Sequence, residues 1–388
     1  MSWNDTCPMN ERLKFVAEIQ RGERSMMQLC EDFGISRKTG YKWWRRYEAA
    51  GVDGLKERSR APLSHPNAVK AAVVALLLQA RQQHPSWGPE KLLHWLARRH
   101  SHVCWPAPST VGAILTRHGL VRPRRRVRRS PPYAEPRIEV GAPNAVWSAD
   151  FKGQFRTGDG RYCYPLTVLD GFSRYLLLCR GLLTPATEGV RPWFVRAFRL
   201  YGLPLAIRTD NGPPFASVAV GGLSALSLWW VKLGILPERI CPGHPEQNGR
   251  HERMHLTLKQ HSTRPVRASL RAQQQAFDRF LAEYNHERPH QALGHRTPEE
   301  IYRPSVRPYP ERLPEVEYPA GLQVRRVRHN GQIKWQGRLV YASEVLTSEP
   351  LGLKHVDEGA WHVYFGPLLI GRLERNAERI HSLSSPIG

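Results

Sequence analysis

Three carboxylates occupy positions from which a fold could gather them for metal-assisted chemistry. Asp150 lies in Val146-Trp147-Ser148-Ala149-Asp150-Phe151. Asp210 directly follows Leu205-Ala206-Ile207-Arg208-Thr209 and precedes Asn211-Gly212, and Glu252 falls on the first turn of a helix opened by Asn248-Gly249. A carboxylate in an otherwise apolar strand is costly to bury unpaired, so Asp150 needs a compensating partner. Crowded acids repel one another and hold their protons unless divalent cations are present, and Mg²⁺ or Mn²⁺ prefers such hard oxygen ligands. Two ions about 3.5–4 Å apart can activate an attacking oxygen and stabilise a departing one in phosphodiester displacement. A competing pattern overlaps the third acid. His251-Glu252-Arg253-Met254-His255 fits H-E-x-x-H, in which two histidines bind Zn²⁺ and the glutamate is the general base of a metalloprotease, with Glu283 or Glu287 as candidate third ligand. That reading leaves Asp150, Asp210 and the N-terminal helices without a task.

The elements that would position these acids follow from periodicity and turn signals. Val146 to Phe151, Tyr162 to Leu169 and Arg174 to Arg180 read as three sequential antiparallel strands separated by Gly-Asp-Gly and Asp-Gly turns. A helix near Glu188 to Tyr201, a strand Leu205 to Thr209, a helix near Leu223 to Leu233, a short strand around Ile235 to Ile240 and helices after Asn248 and Ser269 follow. The order βββαβαβα implies a mixed sheet flanked by helices. Ligand sites in open α/β sheets lie at the carboxyl ends of strands, where Asp210 stands. Asp170, before Gly171, reads as fixing a turn rather than binding metal. Lys259, seven residues after Glu252 and on the same helix face, could grip a DNA phosphate near the metals or be solvated.

The 388-residue chain carries 57 Lys plus Arg against 34 Asp plus Glu, a net charge of +23. Such a surplus of exposed cations suits a polyanionic partner. With 41% hydrophobic residues and 12 tryptophans there is material for real cores, which excludes general disorder. The polar start predicts no secretory signal, and the longest apolar run, Ala71 to Leu78, is too short for a bilayer. A soluble, intracellular protein without a membrane partner is expected. Six cysteines without a C-x-x-C pair argue against a zinc ribbon or a disulfide framework.

The opening block reads as a helix-turn-helix: Asn10 to Gln20, a helix capped by Ser25, the turn Gly34-Ile35-Ser36, and a third helix capped by Ser36. In such a unit the start of the third helix enters the major groove, offering Arg37, Lys38 and Lys42 to the groove while Arg45 and Arg46 suit phosphates. A small helical bundle with a solvated basic face fits the same segment, and Gly40 inside the third helix costs about 1 kcal/mol against Ala. Three more helices, Ala68 to Gln83, Pro89 to Arg99 and Ser109 to His118, the last begun by Ser-Thr capping, form either a second DNA-binding unit or a spacer. Arg124, Arg125, Arg126, Arg128 and Arg129, with interspersed prolines, mark an extended basic linker. After a second proline-rich stretch, alternating segments between Gln323 and Leu373 predict a small, SH3-like β-barrel, for DNA contact or for assembly.

Several of these runs resemble a known family. Trp147-Ser148-Ala149-Asp150, Arg208-Thr209-Asp210-Asn211-Gly212-Pro213-Pro214-Phe215 and His244-Pro245-Glu246-Gln247-Asn248-Gly249-Arg250-His251-Glu252-Arg253 resemble the catalytic blocks of the integrase-core superfamily. Within it the chain is similar to bacterial insertion-sequence transposases, the group related to retroviral integrases. Leu169 to Tyr175 and Tyr284 to Leu293 also resemble recurring segments of that group, so the similarity covers roughly residues 10–300. The resemblance implies an RNase H-like α/β core at 144–303, and with the residue patterns above the expected fold is multidomain: helix-turn-helix units at 1–60 and 66–122, a basic linker at 123–143, the core, a proline-rich linker at 304–319 and the small barrel at 320–388. It implies that Asp150, Asp210 and Glu252 bind two Mg²⁺ ions, with Mn²⁺ able to substitute, and that the protein cuts and joins double-stranded DNA. The partners implied are the element's terminal inverted repeats and target DNA, held by a homo-oligomer in a paired-end complex at the bacterial nucleoid. The alternative is a catalytically silent DNA-binding protein of transposase descent.

Overall fold

The computed structural model describes residues 7–58, 68–121, 138–241, 245–263 and 265–383. Arg124, Arg125, Arg126, Arg128 and Arg129 lie outside them. The chain divides into two compact units, Met1–Ala68 and Val69–Gly388.

In the first unit, α1 (Pro8–Arg21), α2 (Met26–Asp32) and α3 (Arg37–Ala50) surround two small cores, Phe15, Leu29 and Cys30, and Val16, Trp43 and Leu55. Ser25 forms a reciprocal capping box with Gln28, and Ser36 accepts from the Thr39 amide, so two orphan helix-start donors are satisfied as the sequence suggests. Gly40 is more than a weak helix former. A Cβ there would stand 2.6 Å from Cys30 Sγ and 3.0 Å from Phe15 Cζ, so its bare backbone is what lets α3 approach α1 and α2. Gly54, in the single 3₁₀ turn Gly51–Leu55, is tighter still, because a Cβ would fall 1.9 Å from the Arg46 carbonyl oxygen. Gly54→Ala is therefore expected to destabilise this unit by at least about 2–3 kcal/mol. Amide exchange in the full chain should show protection lost across residues 7–58 and retained in the second unit.

The second unit begins with α4 (Ala71–Gln83), α5 (Pro89–Arg99) and α6 (Pro108–Arg117), packed around Leu77, Trp87, Leu92 and Val111. α6 starts one residue earlier than expected and has no side-chain cap; Pro108, whose φ is already helical, begins it in place of Ser-Thr capping. These helices are fastened to the α/β part. His84 Nδ1 lies 3.1 Å from Glu283 Oε1, His94 stacks on His295 with centroids 3.8 Å apart, and Arg98 pairs with Glu300 at 3.1 Å.

The sheet consists of β1 (Val146–Phe151), β2 (Phe155–Arg156), β3 (Tyr162–Asp170), β4 (Leu176–Leu182), β5 (Ala206–Thr209) and β6 (Leu236–Arg239). β4, β3 and β1 run antiparallel, β1, β5 and β6 run parallel in that order, and β2 pairs with β3. The expected βββαβαβα succession is present with the short β2 added. β4 starts at Leu176 rather than Arg174 because Arg174 sits in the turn with φ 62°. α7 (Thr187–Tyr201) and α8 (Ala225–Lys232) cover one face through Phe194, Phe198 and Trp230; α9 (Gly249–Ser262) and α10 (Leu270–Ala282) cover the other through Met254, Leu258 and Phe277. After α10 a π-helical turn, Glu283–Glu287, aims Asn285 at β4, where its side chain accepts from the Leu176 amide and donates to the Leu176 carbonyl. The recurring segment that starts at Tyr284 thus supports the sheet. It continues into α11 (Pro298–Ile301).

The proline-rich stretch is a strap along the core: the Ser305 amide donates to the Tyr201 carbonyl, the Leu203 amide donates to the Arg307 carbonyl, and Arg307 donates to the carbonyls of Pro204, Leu233 and Gly234. Beyond it lie β7 (Gln323–Arg326), β8 (Gln332–Trp335), β9 (Arg338–Tyr341), β10 (Pro350–Asp357), β11 (Ala360–Phe365) and β12 (Leu368–Glu374). They form a four-stranded antiparallel sheet in the order β12-β11-β10-β7 and a separate β8-β9 ribbon. The segment after β12 bridges to both, Arg379 to Tyr341 of β9 and His381 to Arg372 of β12, and Leu223, with Leu228 and Val231 of α8, joins the apolar core that the ribbon and the sheet share.

Candidate active site

Alternation along β1 sends Trp147 and Ala149 into the core beneath α7 and α8 and turns Ser148 and Asp150 toward α9. β1 and β5 pair in parallel with Ser148 beside Arg208; carried two residues further, this register sets Asp150 level with Asp210, just past the end of β5. Asp210 Oδ1 accepts from the Gly212 amide at 3.2 Å, and Asn211 donates to the Ile240 carbonyl at 2.8 Å, which ties this loop to the end of β6. Glu252 is exposed on the first turn of α9, while His251, Met254, His255 and Leu258 form the helix's buried face. The segment before α9 is held by Arg208, which pairs with Glu238 at 2.9 Å and donates to the Gln247 carbonyl, and by Gln247, which accepts from the Cys241 amide.

The three acids act on one another. Burial first, and then the negative charge of Asp210 with a smaller contribution from Glu252, pushes the Asp150 carboxyl up to about 7, against the Phe151 amide and Lys152. Among the described residues no lysine or arginine forms an ion pair with any of the three.

Behind Asp150 is a hydrogen-bonded cluster that the sequence did not reveal. Thr167, directly opposite Asp150 on β3, donates its hydroxyl to the Asp150 carbonyl at 3.0 Å. The same hydroxyl lies 2.7 Å from His251 Nε2 and 2.7 Å from His255 Nε2; Ser148 Oγ lies 2.7 Å from His251 Nδ1, and His255 Nδ1 stands 3.7 Å from Asp150 Oδ2. Burial holds both imidazoles well below their usual range, His251 at about 3 and His255 at about 2, so both are neutral. The metalloprotease reading does not survive this arrangement. Both ring nitrogens of His251 are engaged by hydroxyls, and Glu252 is exposed while the two histidines face the sheet. Asp170 is fully buried and accepts from the Asn144 amide, the Ser173 amide and the Ser173 hydroxyl at 2.7, 2.8 and 2.5 Å, as a turn-fixing residue would.

Of the DNA-contact candidates, Arg37, Lys38, Lys42 and Arg45 are exposed on α3, whereas Arg46 is half-buried. Lys42 Nζ and the Arg46 guanidinium lie 4.3 and 5.0 Å from the centre of the Trp43 ring. Lys259 is exposed on α9, on the same side as Glu252.

Known proteins bear on this geometry. The Integrase core domain family matches residues 141–245 and 233–298, a Helix-turn-helix domain matches 11–62 and a Homeodomain-like domain matches 39–115. The insertion element IS407 uncharacterized 31.7 kDa protein of Burkholderia multivorans is 29% identical over 244 residues, which is 61% of this chain and 82% of that protein. The Gag-Pol polyprotein of avian reticuloendotheliosis virus is 31% identical over 125 residues, 32% of this chain and only 10% of the polyprotein's length. The HTLV-2 integrase catalytic core domain, solved in complex with magnesium, aligns at 19% identity and TM-score 0.34, over 42% of this chain and 99% of that one. With integrase-core and helix-turn-helix matches in the expected order, the chain is an insertion-element transposase-like protein with an integrase core domain and helix-turn-helix domains, related to retroviral integrases.

Proposed function

We propose that the protein is a DDE-type DNA transposase that binds the ends of an insertion sequence and integrates the element into target DNA. The observation that supports this reading is that half-buried Asp150 of β1 feels the negative charges of Asp210, just past the end of the adjacent parallel strand β5, and of Glu252 on α9, and forms no ion pair with a lysine or arginine among the described residues. Three oxygen donors in that state fit hard divalent cations, two Mg²⁺ ions or Mn²⁺ in their place. When bound, such ions supply activation of an attacking oxygen and stabilisation of a departing one.

The chain's own residues do the rest. The exposed cations of α3 hold the element's ends, and Lys259 steadies a phosphate beside Glu252. Water attacks the phosphodiester at the element's end, the bond from phosphorus to the 3′ oxygen breaks, and a 3′-hydroxyl is released. That hydroxyl then attacks a target phosphodiester; a new phosphorus–oxygen bond forms and the target's own 3′ oxygen leaves with a proton. No covalent protein–DNA intermediate is required. Joining two ends calls for a homo-oligomer in a paired-end complex. No described helix is long and apolar enough to cross a membrane, and DNA as substrate fits work at the nucleoid, in the bacterial cytoplasm.

The test incubates the full chain with Mg²⁺ and a labelled terminal-repeat duplex, beside Asp210→Asn. The native protein should cleave and join strands. The variant should bind the duplex with turnover at least about a thousandfold lower, the scale of several kcal/mol of transition-state stabilisation. Equal turnover would remove Asp210 from the site. Binding without chemistry by the native protein would make it a silent DNA-binding relative.

A further inference from the structure

We infer that His255 is a metal ligand, its Nδ1 joining Asp150 in holding one divalent ion, so that the site contains a nitrogen donor and favours Mn²⁺ over Mg²⁺. The inference rests on the three acids forming a cation site and adds a fourth donor to them.

Hydrogen-bond accounting leads to it. The Thr167 hydroxyl lies against the Asp150 carbonyl, His251 Nε2 and His255 Nε2, so the Nε2 atom of each ring is engaged. The two rings then differ. His251 Nδ1 lies 2.7 Å from the Ser148 hydroxyl, so both nitrogens of that ring are engaged. His255 Nδ1 faces Asp150 Oδ2 at 3.7 Å, beyond hydrogen-bond length, and is the ring nitrogen of the two histidines that makes no hydrogen bond.

The 3.7 Å gap between an unbonded ring nitrogen and a carboxylate oxygen is wide enough for one cation to be held by both. His255 cannot swing away from Asp150, because its ring is buried, fastened through Nε2 to Thr167 and set against His251 with centroids 4.5 Å apart. Among the described residues, Asp150, His251 and His255 are the one group of three metal-type side chains whose ligand atoms all lie within 4.8 Å of one another. With His251 saturated, the available pair is Asp150 and His255. Magnesium seldom accepts imidazole, whereas manganese and the later first-row ions do, so the donor set predicts an ion preference as well as a ligand.

The experiment uses the full chain, without DNA, and Mn²⁺ as the probe. Pulsed electron paramagnetic resonance should detect ¹⁴N modulation from a coordinated imidazole, changing to the ¹⁵N pattern when histidines are labelled. In His255→Gln the modulation should vanish, and competition titration should show the preference for Mn²⁺ over Mg²⁺ reduced at least about tenfold. Should that variant fail to fold, the native spectrum decides alone, since the other nearby imidazole has no free nitrogen. Mn²⁺ that binds, is released by Asp150→Asn, and shows no nitrogen coupling overturns the inference while leaving the three-acid site in place. If the native protein binds no Mn²⁺, or binds it equally after Asp150→Asn and Asp210→Asn, both fail.

Discussion

In the metal-free protein at pH 8, Asp150→Asn should raise the free energy of unfolding by about 2–4 kcal/mol while lowering Mg²⁺-dependent strand joining at least about a thousandfold. The two effects have one cause. Burial and the charges of Asp210 and Glu252 lift the Asp150 carboxyl to about 7, whereas the unfolded chain releases that proton near 3.8. Below about pH 4 the group is protonated in both states and imposes no penalty. As the pH rises from there through 7, unfolding releases a proton that the folded state retains, and stability is lost; above 7 the folded protein holds a repelled anion and the penalty is complete. Asparagine is close in shape to the protonated acid and carries no charge. Chemical denaturation of both proteins at several pH values should therefore give curves that coincide near pH 4 and separate up to pH 8. Adding millimolar Mn²⁺ should reverse the order, because the ion stabilises only the protein that binds it. A variant less stable than the native protein at pH 8 without metal would mean that Asp150 is satisfied by a partner other than a cation.

The positions of the acids were legible because strand periodicity and turn signals are local. Asp150 on β1 and Asp210 after β5 needed only the alternation of apolar residues and the Asn211-Gly212 turn. The cluster behind Asp150 was not legible, since Thr167 becomes its neighbour through the β1–β3 register and His251 and His255 arrive on α9. A signal did exist in the H-E-x-x-H spacing, which places two histidines on one helix face, but spacing cannot tell which face meets the sheet. Gly40 misled in a similar way. Helix propensity counts its entropy and is blind to Cys30 and Phe15 pressed against it. The C-terminal block was legible as antiparallel sheet but not beyond that, because alternating strands define faces and not closure, and the residues of α8 and the loop before it that join its core lie outside the β-rich block. The link between His84 and Glu283, 199 residues apart, has no local trace at all.

Asp170→Ala is expected to have the opposite effect from Asp150→Asn, although the two acids are on neighbouring strands of one sheet. Asp170 Oδ1 accepts from the Asn144 amide and Oδ2 from the Ser173 amide and hydroxyl, all in a fully buried site. Burial lifts this carboxyl above its usual range, and the Ser173 and Asn144 bonds oppose that lift. Whichever form prevails, alanine leaves two backbone amides and a hydroxyl without their acceptor. At about 1–3 kcal/mol for each buried unsatisfied group, with partial relaxation, the loss should be about 3–5 kcal/mol. The damage would spread beyond the turn. The Asn144 side chain accepts from Trp147 Nε1 and the Tyr302 hydroxyl, both at 2.9 Å, and donates to the Arg303 carbonyl, so a displaced Asn144 loosens the start of β1 and the chain after α11 together. Thermal unfolding should show the transition of the larger unit lowered by about 4–8 °C, at the roughly 1.5 °C per kcal/mol that an unfolding entropy of about 2.1 cal/mol/K per residue gives for a unit of this size. The fraction that remains folded should bind Mn²⁺ with native stoichiometry, since no donor has been removed. A variant with unchanged stability but weakened Mn²⁺ binding would instead make Asp170 part of the cation site.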